Sequence, residues 1–169
     1  MISAETPTLY LFLSIALLIL LSAYFSGTET AMMALNRYRL RHMVKRGHRG
    51  ARKASSMLRR QDRLLGVILV GNNLANFTAA TIATIIGYNL LGDTGVLLAP
   101  WVLTVTFLIF AEVAPKTLAA ERPDAWALKA VFVLAPLAKL LHPVVLLTNG
   151  LSNALVKPFL TERLSLIHI

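Results

Sequence analysis

Six oxygen-bearing side chains stand where an apolar sequence would ordinarily carry none. Ser22, Ser26 and Glu29 lie at the end of an apolar run that begins at Leu9; Asn72 and Asn76 interrupt a second run; Glu112 sits near the end of a third. Ser22 and Ser26 are four residues apart, and so are Asn72 and Asn76, so each pair shares one face of a helix. Glu29 follows Ser26 by three residues on nearly the same face, while Asn73 points away from its neighbours. A carboxylate at membrane depth costs roughly 3 kcal/mol even on gentle insertion scales, so it persists where it faces another helix or water. Hydroxyls, amide carbonyls and carboxylates are hard oxygen donors, and no His or Cys joins them. Such a set suits Mg²⁺, Ca²⁺ or Na⁺ rather than zinc or copper.

Backbone oxygens add to the set. Gly27 is a candidate bend within Phe25-Ser26-Gly27-Thr28-Glu29-Thr30, and Pro115, with no N–H to donate, weakens the helix at Ala111. Carbonyls freed at such breaks bind ions in many secondary transporters. A second reading stays open for Ser22, Asn72 and Asn76. Ser and Asn also serve as hydrogen-bond glue between spanning helices, and Gly27, Ala31, Gly66 and Ala75 permit close packing. Glu112, alone among apolar residues, is the more specific signal. Glu29 and Asn73 are additional or supporting positions, Glu29 with the option of pairing with a nearby Arg. Lys116, one turn from Glu112, either neutralises that carboxylate or extends to the membrane surface.

These residues need spanning helices to hold them. Of 169 residues 56% are hydrophobic and 15% charged, and mean hydropathy is +0.65. Several apolar stretches near the spanning length make this an all-α integral membrane chain. Three spans are predicted, over about 9–35, 64–91 and 96–120, with Gly92-Asp93-Thr94-Gly95 as a tight turn between the last two. The net charge of +9 does not indicate nucleic acid: eleven of the seventeen Lys and Arg fall between Arg37 and Arg63. That is the signature of a cytoplasmic loop, and it places the N-terminus outside. A short helix is expected around Ala51–Arg60, and Met43, Val44, Met57 and Leu58 give the loop an apolar side for the membrane surface; a solvated connector fits equally well. Met1–Thr8 lacks the basic residues of a cleaved signal peptide.

Asp124 is a candidate N-cap. Residues 125–156 allow two arrangements. One is a fourth crossing; the other is a kinked helix or helix pair along the cytoplasmic interface, with bends at Pro136 and Pro143. Lys129 and Lys139 favour the second, which keeps the C-terminus inside. A transmembrane domain thus covers 1–160, with the loop at 36–63, juxtamembrane helices at 124–156, and a tail, 161–169, without a clear role. Ser26, Asn72 and Glu112 then share one depth in the inner half of the bilayer, since Asn72 and Glu112 each lie about eight residues from the inner ends of their spans.

In this order, with a basic loop after the first and a short turn between the others, three motifs resemble the transmembrane domain of the CorC/CNNM magnesium transporters. They are Phe25-Ser26-Gly27-Thr28-Glu29-Thr30-Ala31, Gly71-Asn72-Asn73-Leu74-Ala75-Asn76 and Glu112-Val113-Ala114-Pro115-Lys116-Thr117. The resemblance covers roughly Leu9–Val156. It implies three spanning helices plus a belt-like juxtamembrane segment, a homodimer, and a multi-pass location in the cell (inner) membrane. It also implies Mg²⁺ transport, as efflux or exchange, with Na⁺ the candidate coupling ion. Ser26, Gly27, Asn72, Asn76 and Glu112 are the metal positions it carries over; Ser22 matches less distinctively. Family members continue into CBS domains that bind ATP, whereas this chain stops at Ile169, as an isolated membrane domain would. A different class of function needs the same site: an ion-sensing membrane scaffold that regulates attached cytosolic domains without net transport. No nucleophile–base set points to an enzyme, and His42, His48, His142 and His168 fall in loops or the C-terminal region.

Overall fold

A computed structural model describes residues 8–164. Eight α-helices and one π-helical segment follow in order: α1 (Thr8–Ala34), α2 (Arg37–Lys45), α3 (Arg49–Leu58), α4 (Gln61–Leu91), α5 (Asp93–Phe107), the π segment (Leu108–Val113), α6 (Ala114–Glu121), α7 (Pro123–Leu140) and α8 (His142–Leu164). No strand occurs among the described residues. Residues 1–7, with Glu5, and the end of the predicted tail, 165–169, lie outside them.

Three helices are long and apolar enough to cross a bilayer: Thr8–Ala34, Gln61–Leu91 and Asp93–Glu121. The chain is therefore an all-α, multi-pass membrane protein. Most of the apolar surface of these helices faces outward. Leu9, Phe12, Leu13, Leu17 and Leu20 of α1 are all exposed, as lipid-facing residues are.

The helices meet along small residues. Gly71, Ala75, Ala79 and Ala83 recur every fourth residue on the buried side of α4, which lets α1 and the third span approach closely. The link from α4 to α5 is a single residue, Gly92, at φ 61°. Only glycine adopts that conformation at little steric cost. The four-residue turn expected there is thus shorter, because α5 already begins at Asp93.

At the basic end, the loop between the first two spans folds as two short helices, with α3 (Arg49–Leu58) close to the helix expected around Ala51–Arg60. Asn36 caps α2 by accepting from the Tyr38 and Arg39 backbone N–H groups at 3.0 and 3.1 Å. His48 Nδ1 caps α3 by accepting from Ala51 N–H at 3.2 Å. Leu40, Ala51, Ala54 and Leu58 are buried in the same core as Val131 and Leu134 of α7, with Met43, Val44 and Met57 packed against it. The apolar side of this region therefore faces the protein's own α7 rather than the membrane surface.

The third span does not break at Pro115. Its middle widens into the π segment, and Pro115 follows in the first turn of α6, where a missing N–H is tolerated. Asp124 is likewise not a cap. Arg122 holds that position, and the Asp124 carboxylate accepts from Arg39 at 2.7 Å, tying α2 to α7. Pro136 lies inside α7 without interrupting it. The bend, 72°, falls between α7 and α8, before Pro143.

Candidate cation site between α1 and α4

The site begins with a hydroxyl between two amides. Ser22 Oγ lies 2.6 Å from Asn72 Oδ1 and 2.8 Å from Asn76 Oδ1. A hydroxyl has one proton, so it donates to one amide oxygen and meets the other through its lone pairs. Three oxygens thus converge with a single proton among them. Either a cation or an amide turned to present its NH₂ relieves that excess of acceptors. Ser22 is wholly buried, so bulk solvent does not reach the cluster.

One turn along α1, Ser26 is 1% exposed. Its Oγ finds no hydrogen-bond partner among the described residues. An orphaned buried hydroxyl costs about 1–3 kcal/mol. It is the kind of group that a ligand completes.

Glu112 lies in the π segment, a local widening often found at functional positions. It shares with Asn76 the wall of a cleft of about 340 Å³, alongside Phe107 and Leu108. Its Oε2 accepts from Lys116 Nζ at 3.2 Å, so Lys116 pairs with the carboxylate. No hydrogen bond joins Glu112 to Ser22, Asn72 or Asn76 among the described residues. No group of three or more His, Cys, Asp or Glu is placed to hold a metal there either. The donor set is hydroxyl and amide oxygen, with one carboxylate adjoining.

The other predicted positions separate from this cluster. Gly27 is not a bend: α1 runs unbroken from Thr8 to Ala34, so no carbonyl is freed there by a break. A Cβ at Gly27 would come within 2.5 Å of the Trp126 indole; the glycine makes room for α7. Asn73 is exposed on the outer side of α4. Glu29 is half-buried and makes no ion pair among the described residues. Pro115 is buried one helical turn beyond Ala111.

Ser22, given a lesser place by sequence, stands at the centre. The contacts of α1 with α7 were not anticipated at all. Tyr24 Oη donates to the Ala130 carbonyl at 2.7 Å, and Trp126 Nε1 approaches Thr28 Oγ1 at 3.4 Å. These bonds fix the rotation of α1, and hence where Ser22 and Ser26 point. The only signal for them in sequence was the density of small and hydroxyl residues from Ser26 to Thr30. On the facing side, a Cβ on Gly71 would overlap the Phe25 ring. This glycine sets the α1–α4 separation one residue before Asn72.

Comparison with known proteins agrees with this architecture. The family described as the Cyclin M transmembrane N-terminal domain, CNNM, matches residues 13–165. The chain is 51% identical over 137 residues to the UPF0053 inner membrane protein YfjD of Escherichia coli (strain K12), covering 81% of this chain and 32% of that protein. It is 42% identical over 151 residues to a UPF0053 protein of Haemophilus influenzae, covering 89% of this chain and 36% of that one. A chloroplastic DUF21 domain-containing protein of Arabidopsis thaliana is 30% identical over 160 residues, or 89% of this chain and 24% of its own length. The chain spans about a third of the length of the two bacterial relatives. Three helices able to span a membrane, a family match over residues 13–165 and half-identity to a UPF0053 inner membrane protein lead to one conclusion: the chain belongs to the CorC/CNNM family, as its transmembrane domain.

Proposed function

We propose that this domain binds Mg²⁺ between α1, α4 and the π segment and passes it across the cell membrane, as efflux or exchange with Na⁺ as the coupling ion. The observation that carries the reading is the Ser22–Asn72–Asn76 cluster, with one proton for three oxygens at 2.6 and 2.8 Å, beside the orphaned Ser26 hydroxyl. Mg²⁺ surrenders water reluctantly and favours near-octahedral oxygen. Ser22, Ser26, Asn72 and Asn76 supply neutral oxygens, and retained waters complete the shell. Glu112 supplies charge from the cleft it shares with Asn76, once Lys116 releases it. Under the positive-inside rule the α2–α3 end is cytoplasmic, so the N-terminus is outside and the site opens inward. The membrane is the inner membrane, as in the name of the Escherichia coli relative. The working unit is a homodimer, with CBS domains in the full-length protein.

Titration calorimetry of Mg²⁺ into the purified domain, with Ca²⁺ and Na⁺ as competitors, tests the site. Glu112→Ala should abolish binding while the protein stays folded; binding unchanged in that variant would remove Glu112 from the site. Flux into sealed vesicles tests the activity. Binding without flux would favour the alternative class, an ion-sensing scaffold acting on attached cytosolic domains.

A further inference from the structure

We propose that the cleft between α3, the start of α4 and the α7–α8 bend is a binding site for the phosphate headgroup of an anionic phospholipid. The cleft has a volume of about 600 Å³ and is lined by Arg59, Arg60, Arg63, Lys139 and His142. Its floor is apolar, formed by Leu64, Val67 and Val145, each buried. No Asp or Glu lines it, and the ion pairs among the described residues, Arg39–Asp124 and Lys116–Glu112, lie elsewhere. Four permanent positive charges therefore share one concavity with no acidic residue on its wall; Asp62, in the first turn of α4, is the nearest carboxylate in sequence and leaves the balance positive.

The backbone adds to this field. Helix α4 starts at the cleft, and its N-cap, Arg60, makes no side-chain cap hydrogen bond. Helix α8 starts at His142, also on the cleft wall, although Pro143 at its second position has no N–H to offer. The first N–H groups of a helix lack intrahelical partners and carry its positive pole, which suits a phosphate. The arginine side chains offer forked donors that match phosphate oxygens in pairs.

The occupant is a lipid rather than a soluble phosphate because of what borders the cleft. Leu65 and Leu69 of α4, Leu140 of α7, and Val144, Leu146 and Leu147 of α8 are all exposed. They continue directly from the cationic wall along the same helices, so a headgroup in the cleft leaves its acyl chains against apolar side chains. Basic pockets between spanning helices at the membrane surface bind anionic headgroups in this manner. Such a lipid would cap, on its outer side, the core that Leu58, Leu64, Leu134 and Val145 already form between α3, α4, α7 and α8.

Native mass spectrometry of the full chain, released from mixed micelles of equimolar phosphatidylglycerol and phosphatidylcholine with matched acyl chains, tests the site. Wild type should retain phosphatidylglycerol preferentially. The double variant Arg63→Gln/Lys139→Gln should lower that preference about 25-fold, roughly fivefold for each charge removed. Arg46→Gln/Arg49→Gln, which removes the same charge away from the cleft, should leave it unchanged. Equal losses in the two variants would mean a diffuse attraction to the basic region and overturn the proposal. So would full retention in the cleft variant. Should that variant not fold, Ser56→Trp fills the cleft with charge unaltered and must lower retention by itself; undiminished retention would also overturn it. Glycerol phosphate in solution should compete poorly. Competition equal to that of the intact lipid would make the occupant a soluble phosphate and overturn the assignment to lipid.

Discussion

The two halves of α1 lie in one helix and solve opposite problems. From Thr8 to Leu21 the side chains are mostly apolar and many of them are exposed, with Leu17 and Leu20 each 67% accessible; Ser14 turns its hydroxyl back onto the Tyr10 carbonyl of its own helix. From Ser22 to Met32 the helix carries most of its hydroxyls and its glycine, and Ser22, Ser26, Gly27 and Thr28 are all buried. The apolar half is left for lipid and the polar half is wrapped by protein: α4 on one side, α7 on another, and α6 with the π segment beyond. Polar groups persist at membrane depth only where protein or a water-filled cavity surrounds them. The comparison teaches that α7 encloses the polar half of α1: its Ala130 carbonyl accepts from Tyr24, and its Trp126 packs over Gly27 and Thr28.

The contrast can be broken most severely at the amides. Asn76→Leu should lower Mg²⁺ affinity in calorimetry by on the order of 100-fold or more, since loss of a supporting partner alone costs 10–100-fold at metal sites. If the cluster were interhelical glue, the same change would leave binding intact and cost only about 0.6 kcal/mol of stability. A smaller effect is expected at the helix contact that sets the amides' position. Gly71→Ala places a methyl against the buried Phe25 ring and should destabilise by about 1–3 kcal/mol, read as a lowered midpoint of thermal unfolding in detergent. Gly150→Ala, on α8 with nothing within 4 Å, should instead stabilise by about 0.5–1 kcal/mol through helix propensity. Equal shifts at the two glycines would deny the close α1–α4 approach. The smallest effect belongs to the lipid-facing half. Leu20→Ile should change unfolding by no more than about 0.5 kcal/mol and leave Mg²⁺ binding untouched. A loss of binding there would show that the outer half contributes to the site after all.

Spans, loop and motifs were legible because each is a one-dimensional property. Span boundaries expected at 64–91 and 96–120 fall within three residues of Gln61–Leu91 and Asp93–Glu121. The Ser22/Ser26 and Asn72/Asn76 pairings followed from helical spacing alone. Where expectation failed, two elements distant in sequence had competed for one residue. Gly27 read as a hinge because glycine weakens a helix, yet its neighbour across the interface is Trp126. Leu58 was open to a membrane-surface or a solvated-connector reading, yet it is buried in the core it shares with Val131 and Leu134 of α7. Pro115 read as a break because proline lacks a donor, yet the preceding turns widened to accommodate it.

By itself, then, the amino-acid sequence determined that this chain crosses a membrane, where its three long apolar helices run, and which oxygen-bearing residues share a helical face, while leaving residues 125–156 open between two arrangements. Length, hydropathy and a period of 3.6 residues suffice for that. Only the tertiary structure decided that Ser22 stands between the two amides rather than in a supporting position, that Glu112 adjoins them through a cleft, and that Lys116 pairs with Glu112 instead of extending away. Those outcomes depend on how far each helix is rotated about its own axis. That rotation is set by contacts such as Tyr24 to Ala130 and Gly71 to Phe25, between residues whose proximity no local pattern records.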